Sequence, residues 1–261
     1  MKTKKQLTGS FILILFILTI LFFLFRNHTI RGRDFPEIKS SGVLNVVTEY
    51  NSIDYYVSGD SIAGLQYELC KYLEKCSGLK VKIYLENNLE NCIDKLENNS
   101  YDVIARSIPI TNENRQNLAF TIPITQNKQV LVQRNLSETD SSIYIHNQID
   151  LANKTVYVPK NSPVIFRLKN LSEEIAEPIY IKEITNYTAE QLIYMVNDNC
   201  IDYAVVDNEI ALKNLQLFSN IDIKIDISFT QFQAWMVRKN APVLLDSLNK
   251  WLSNYHTAKY P

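Results

Sequence analysis

The chain has 261 residues, 46% of them hydrophobic and 21% charged, and its 27 Lys and Arg against 28 Asp and Glu leave a formal charge of -1. With the two signs interspersed, that balance excludes a nucleic-acid partner, which would select a basic face. Four cysteines, Cys70, Cys76, Cys92 and Cys200, have neither CxxC spacing nor a histidine cluster beside them, which excludes a zinc site, and no motif calls for a cofactor.

Lys2, Lys4 and Lys5 precede an apolar run over residues 11–25, FILILFILTILFFLF, without a charge or a helix breaker. This is the pattern of an export signal. The run is shorter than the roughly 20 residues that span hydrocarbon, although residues 7–10 can extend it. The following residues, RNHTIR, offer no small-x-small cleavage site and no lipid-bearing cysteine. An uncleaved single-pass transmembrane anchor within residues 1–30 is therefore expected, in the inner membrane, with the amino end cytoplasmic and the remainder in the periplasm or extracytoplasmic space. A polar tether over residues 31–42 is expected to follow. In that compartment Cys70 or Cys76 is open to pairing with Cys92; the alternative is that these are small buried hydrophobes.

From residue 43 the hydrophobic pattern alternates between strand and helix. Residues 43–48 read as a buried strand, and residues 64–76 as a helix ended by Gly78. A strand over 79–85, a helix over 89–96 and a strand over 101–107 complete a parallel α/β unit. Residues 128–133 read as a strand leaving that unit. The alternation then restarts, with strands at 155–158, 179–181, 201–206 and 221–227 and helices at 163–171, 188–196 and 208–218. Thr188 and Gln191 have capping-box spacing. A last strand at 234–237 and a helix from Ala241, with Leu244, Leu245, Leu248, Trp251, Leu252 and Tyr255 on one face, are too small for a domain and are expected to pack on the first unit. The fold class is thus α/β with two lobes, residues 43–133 and 234–261 forming lobe 1 and residues 134–233 lobe 2. The chain is expected to cross between them near residues 133–135 and 229–233, making a hinge with a ligand cleft between the lobes.

The segments GVLNVVT from Gly42, GLQYEL from Gly64, YDVIARSIPITNENR ending at Arg115, AFTIPI ending at Ile124, QVLVQR ending at Arg134, IDYAVVDNE ending at Glu209 and AWMVRKN ending at Asn240 resemble one family. It is the type II periplasmic solute-binding proteins of the amino-acid-binding kind (family 3), including the binding domain of membrane-bound lytic transglycosylase F. The resemblance implies an arginine after the third strand that grips a ligand carboxylate, which falls on Arg115. The spacing from Thr111 to Arg115 is one residue longer than usual there, so Arg106 is the second candidate. It also implies an acidic residue after a strand of the second lobe that holds a ligand ammonium, which falls on Asp207; Asp207 is equally suited to cap the following helix. Asn161 and Ser162 resemble the loop feeding a helix N-terminus, Ser107 and Thr111 are placed to add hydrogen bonds, and Tyr55 and Tyr56 are placed either to stack on a ligand or to pack.

The implied function is capture of a small zwitterionic solute, an amino acid or short peptide, for transport through a membrane permease (an ABC transporter) or for sensing. A sensor or cell-wall-peptide-binding module without transport is the alternative. Lytic activity is not expected in this polypeptide, because the catalytic domain of the transglycosylase would need residues beyond Pro261. His28, His146 and His256 sit in no nucleophile context. The remaining enzymatic alternative is a cleft dehydratase with Asp207 or Glu49 as acid.

Overall fold

The computed structural model describes residues 33–112 and 114–259. The expected anchor lies outside them; among the described residues no helix is long and apolar enough to cross a membrane. In chain order the elements are α1 (Phe35–Ser41), β1 (Val43–Thr48), β2 (Tyr56–Ser58), β3 (Ser61–Ala63), α2 (Leu65–Ser77), β4 (Lys80–Leu85), α3 (Leu89–Glu97), β5 (Val103–Pro109), α4 (Asn114–Asn117), β6 (Leu118–Phe120), β7 (Thr125–Asn127), β8 (Gln129–Arg134), β9 (Thr155–Pro159), α5 (Val164–Glu174), β10 (Tyr180–Ile184), α6 (Ala189–Asn197), β11 (Ala204–Asp207), α7 (Asn208–Leu215), β12 (Ile221–Asp222), β13 (Gln231–Arg238) and α8 (Pro242–Lys259).

The strands form two sheets of one plan, β4-β1-β5-β13-β6 with β7 also on β13, and β10-β9-β11-β8-β12. In the first, β1 runs parallel to β4 and β5 while β13 is antiparallel to β5. In the second, β9 runs parallel to β10 and β11 while β8 is antiparallel to β11. Each lobe therefore takes its antiparallel strand from a distant stretch of chain. The strand over residues 128–133, expected to leave lobe 1, belongs to the second sheet, where all six residues of β8 are buried. Val130, Leu131 and Val132 carry apolar groups to both faces, and only a central strand covered on both sides buries them all.

The crossings follow from this. β7 pairs with β13 in the first sheet and β8 opens in the second, so the first crossing is at Lys128, upstream of the expected one. Asp226 still bridges to Val130 in lobe 2 and β13 begins at Gln231, which puts the second crossing between them.

Part of the expected tether is helical. Asp34 and Glu37 form a capping box around α1, Ile38 is fully buried, and the Phe35 ring meets Trp251 of α8 edge-on at 5.7 Å. The Asp34 carboxylate also accepts from the backbone N–H groups of Leu244 (2.7 Å) and Val243 (3.2 Å), so it caps two helices. Leu244, Leu248 and Leu252 of α8 join Ile38, Leu69 and Leu73 in the lobe 1 core. Beside them the fully buried Asp102 lies between Arg33 and Arg238, each at 3.4 Å, and accepts from Asn45 N–H at 2.8 Å. The four cysteines are free thiols, Cys70 and Cys92 buried and Cys76 and Cys200 exposed.

Candidate functional site

In both sheets the parallel strands aim their carboxyl ends at the cleft, as strands of open α/β sheets do at ligand sites. A cavity of about 70 Å³ there is lined by Glu49, Arg106 and Ser107 from lobe 1 and by Asn161, Ser162 and Asp207 from lobe 2. Glu49 follows the last residue of β1 and Arg106 lies on the neighbouring β5. Their side chains form an ion pair, and Arg106 Nη1 also donates to the Asn87 carbonyl at 3.0 Å. Burial raises the Glu49 carboxyl to about 7 despite the opposing pull of Arg106.

Behind this pair Asp54 is buried in a polar network. Its carboxylate accepts from Asn51 Nδ2 (3.0 Å), Gln66 Nε2 (3.0 Å) and the Ser107 hydroxyl (3.4 Å), and Gln66 in turn accepts from the Trp235 indole at 2.6 Å. Burial raises the Asp54 carboxyl. Gly64 makes the arrangement possible: its φ is +126°, and a Cβ there would stand 2.3 Å from the Asp54 carbonyl oxygen.

Asp207 ends β11 and occupies the N-cap position of α7, yet its side chain makes no capping hydrogen bond. It accepts instead from Nε2 of its register partner Gln129 at 3.2 Å, and burial raises it to about 6. Of the two roles open in the sequence, the carboxylate is thus not engaged as a cap. Asn161 adopts a left-handed φ of 57°, and its side chain reaches Glu90 of lobe 1 at 2.6 Å.

Four of the expected residues lie apart from the cavity lining. Arg115 is exposed on α4. Thr111 is engaged locally, its hydroxyl accepting from Asn114 N–H at 3.2 Å while its carbonyl accepts from Arg115 N–H at 3.1 Å. Tyr55 packs edge-on against Tyr67 at 5.7 Å, and Tyr56 opens β2. Sequence reasoning had missed Asp54, Gln129 and the partnership of Glu49 with Arg106. The signal for Glu49 was its place at the carboxyl end of the first parallel strand.

The lining and its immediate support thus set three carboxyl groups, Glu49, Asp54 and Asp207, beside two cationic side chains, Arg106 and Lys160. No histidine lines the cavity.

The bacterial extracellular solute-binding proteins, family 3, match residues 44–259. Among similar curated proteins are membrane-bound lytic murein transglycosylase F of Pseudomonas fluorescens (strain Pf0-1), 27% identical with 90% of this chain and 48% of that protein covered, and that of Desulfosudis oleivorans, 29% identical with 82% and 46% covered. The chain spans less than half the length of these relatives. Among solved structures, holo ArgBP from T. maritima matches with a TM-score of 0.71 at 24% identity, over 85% of this chain and 93% of that one. An ancestral arginine-binding protein bound to arginine matches with a TM-score of 0.72 at 22% identity, over 84% and 94%. At these identities the likeness is one of fold.

Proposed function

The chain belongs to the bacterial extracellular solute-binding proteins of family 3, and on that premise we propose that it captures a small zwitterionic solute, an amino acid or short peptide, between its lobes. The binding domain is extracytoplasmic, in keeping with the family. The reading rests on one observation: Arg106 from lobe 1 and Asp207 from lobe 2 line the same cavity. Asp207 holds the solute ammonium. Arg106 takes the carboxylate in place of Arg115, which is exposed. A second positive group on the solute is accommodated by Glu49, so basic amino acids head the candidates. Asn161, Ser162 and Ser107 complete the polar contacts, with no turnover. Delivery to a membrane permease, and retention at the membrane by residues 1–30, are parts of the same proposal.

A second reading, a cell-wall-peptide-binding sensor module, draws support from the transglycosylase relatives and from an outer chamber of about 200 Å³. That chamber shares Glu49, Asn87, Pro159 and Lys160 with the inner cavity and adds Asn88, Asn91 and Asn186, leaving room for a longer solute. A thermal-shift screen of free amino acids against short peptides separates the two. A solute at a hundredfold its dissociation constant stabilises the fold by about 2.7 kcal/mol. Stabilisation by L-arginine or L-lysine supports capture of a free amino acid, stabilisation by peptides alone moves the account to a peptide-binding module, and no shift with either class contradicts both readings.

A further inference from the structure

Two hydrogen-bonded contacts join the lobes beside the inner cavity, and they occupy equivalent places in the two lobes. Ser52, in the loop after β1 of lobe 1, donates its backbone N–H (2.8 Å) and its hydroxyl (3.1 Å) to the Glu190 carboxylate of lobe 2. Asn161, in the loop after β9 of lobe 2, donates its amide to the Glu90 carboxylate of lobe 1 at 2.6 Å. Glu90 is the second residue of α3, which follows the edge strand β4; Glu190 is the second residue of α6, which follows the edge strand β10. In each contact the loop after the central parallel strand of one lobe meets the helix after the edge strand of the other.

Neither glutamate is needed by its own helix. Asn88 caps α3 by accepting from Asn91 N–H, and Thr188 with Gln191 forms the capping box of α6. Both carboxylates sit in a first helical turn, where the helix dipole favours negative charge. Both donor loops also reach the solute site: Asn161 lines the inner cavity, and Ser52 is flanked by Asn51, whose amide holds Asp54.

We propose that Glu190 and Glu90 form a reciprocal latch that holds the lobes together over the cavity, as positioning residues for solute retention and not as contacts to the solute. The inference rests on the solute-binding reading for its purpose, but its geometry is separate from solute identity. The two halves differ in strength. Ser52 and Glu190 are half-buried and make two bonds to one carboxylate, whereas Glu90 is exposed and makes one, so water competes more effectively there.

The native thiols supply the test. Cys76 on α2 of lobe 1 and Cys200 of lobe 2 are exposed, while Cys70 and Cys92 are buried. Spin labels on Cys76 and Cys200 of the full-length chain in detergent report the interlobe distance by double electron-electron resonance, with and without saturating L-arginine. Glu190→Ala is expected to lower the ratio of closed to open molecules roughly tenfold, Glu90→Ala to lower it less, and the double variant to lower it most. Glu190→Gln, which keeps an acceptor oxygen, is expected to restore much of the ratio. Circular dichroism and melting of each variant exclude loss of fold. A double variant whose distance distributions match those of the parent chain in both conditions overturns the latch. A parent chain whose distances ignore L-arginine, together with variants that still shift, counts against L-arginine as solute and leaves the latch standing.

Discussion

Arg106 and Glu49 form an ion pair across adjacent parallel strands at the floor of the cleft. The pairing follows from register: Val46 faces Val103 and Val47 faces Ile104, so two residues further on, on the same face, Glu49 comes beside Arg106. A solute carboxylate must therefore share this guanidinium with Glu49. Glu49→Gln is expected to tighten binding of solutes with one positive group and to weaken binding of those with two. Titration calorimetry with L-glutamine and L-arginine checks it; parallel changes for both would remove Glu49 from the discrimination.

The raised carboxyls fix the sign of a pH effect on stability. Glu49 is raised from its ordinary 4.5 to about 7 and Asp207 from 3.8 to about 6, so the folded state holds these protons more tightly than the unfolded chain. The stability they contribute is fully present below the ordinary values and is lost as pH rises through about 6 to 7. The solute-free protein should melt at a lower temperature at about pH 8 than at about pH 5, and the Glu49→Gln, Asp207→Asn double variant should show a flatter profile. Profiles of equal slope would contradict the assignment.

The same protons enter solute binding. A cationic solute favours ionised carboxyls, so binding at about pH 6 should release protons and affinity should rise with pH toward neutrality. Calorimetry in two buffers of different ionisation enthalpy reads the release directly. Equal binding enthalpies in both would mean that neither carboxyl titrates on binding.

Lobe 1 depends on the charge cluster beside α1. Replacing Asp102 by Ala leaves Arg238 buried without its counter-charge and should cost about 3–5 kcal/mol. Asp34→Ala removes two helix caps and should cost about 1–2 kcal/mol. Urea unfolding measures both, and a smaller loss for Asp102→Ala than for Asp34→Ala would invert the account.

Thiol labelling tests the cysteines. Cys76 and Cys200 should react quickly in the folded protein, whereas Cys70 and Cys92 should react only on unfolding, Cys70 being fully buried with its thiol pushed up to about 12. Fewer than four reactive thiols in denaturant without reductant would indicate a disulfide.

The order of strands and helices was legible because each buries one face against the sheet and so carries its own period. The placement of β8 was not. Its apolar run identifies a buried strand but not which sheet it enters, and its pairing with β11 is a long-range choice. The helix α1 was overlooked although Asp34 and Glu37 stand at capping-box spacing with Pro36 between them, because seven residues show too little periodicity. Asp207 and Ser107 could be placed from strand ends. The exposed position of Arg115 could not, since Thr111 closes a local turn just ahead of it and such loop geometry leaves no periodic trace.

The central claim is that Arg106 and Asp207, not Arg115, hold the two ends of one solute. Titration calorimetry with L-arginine on Arg106→Ala, Asp207→Asn and Arg115→Ala tests it most directly. The first two should each lose about 2–5 kcal/mol of binding, as expected when one partner of a buried charge pair is removed, while Arg115→Ala keeps the affinity of the parent chain. Loss of binding in Arg115→Ala with full affinity in Arg106→Ala would contradict the account.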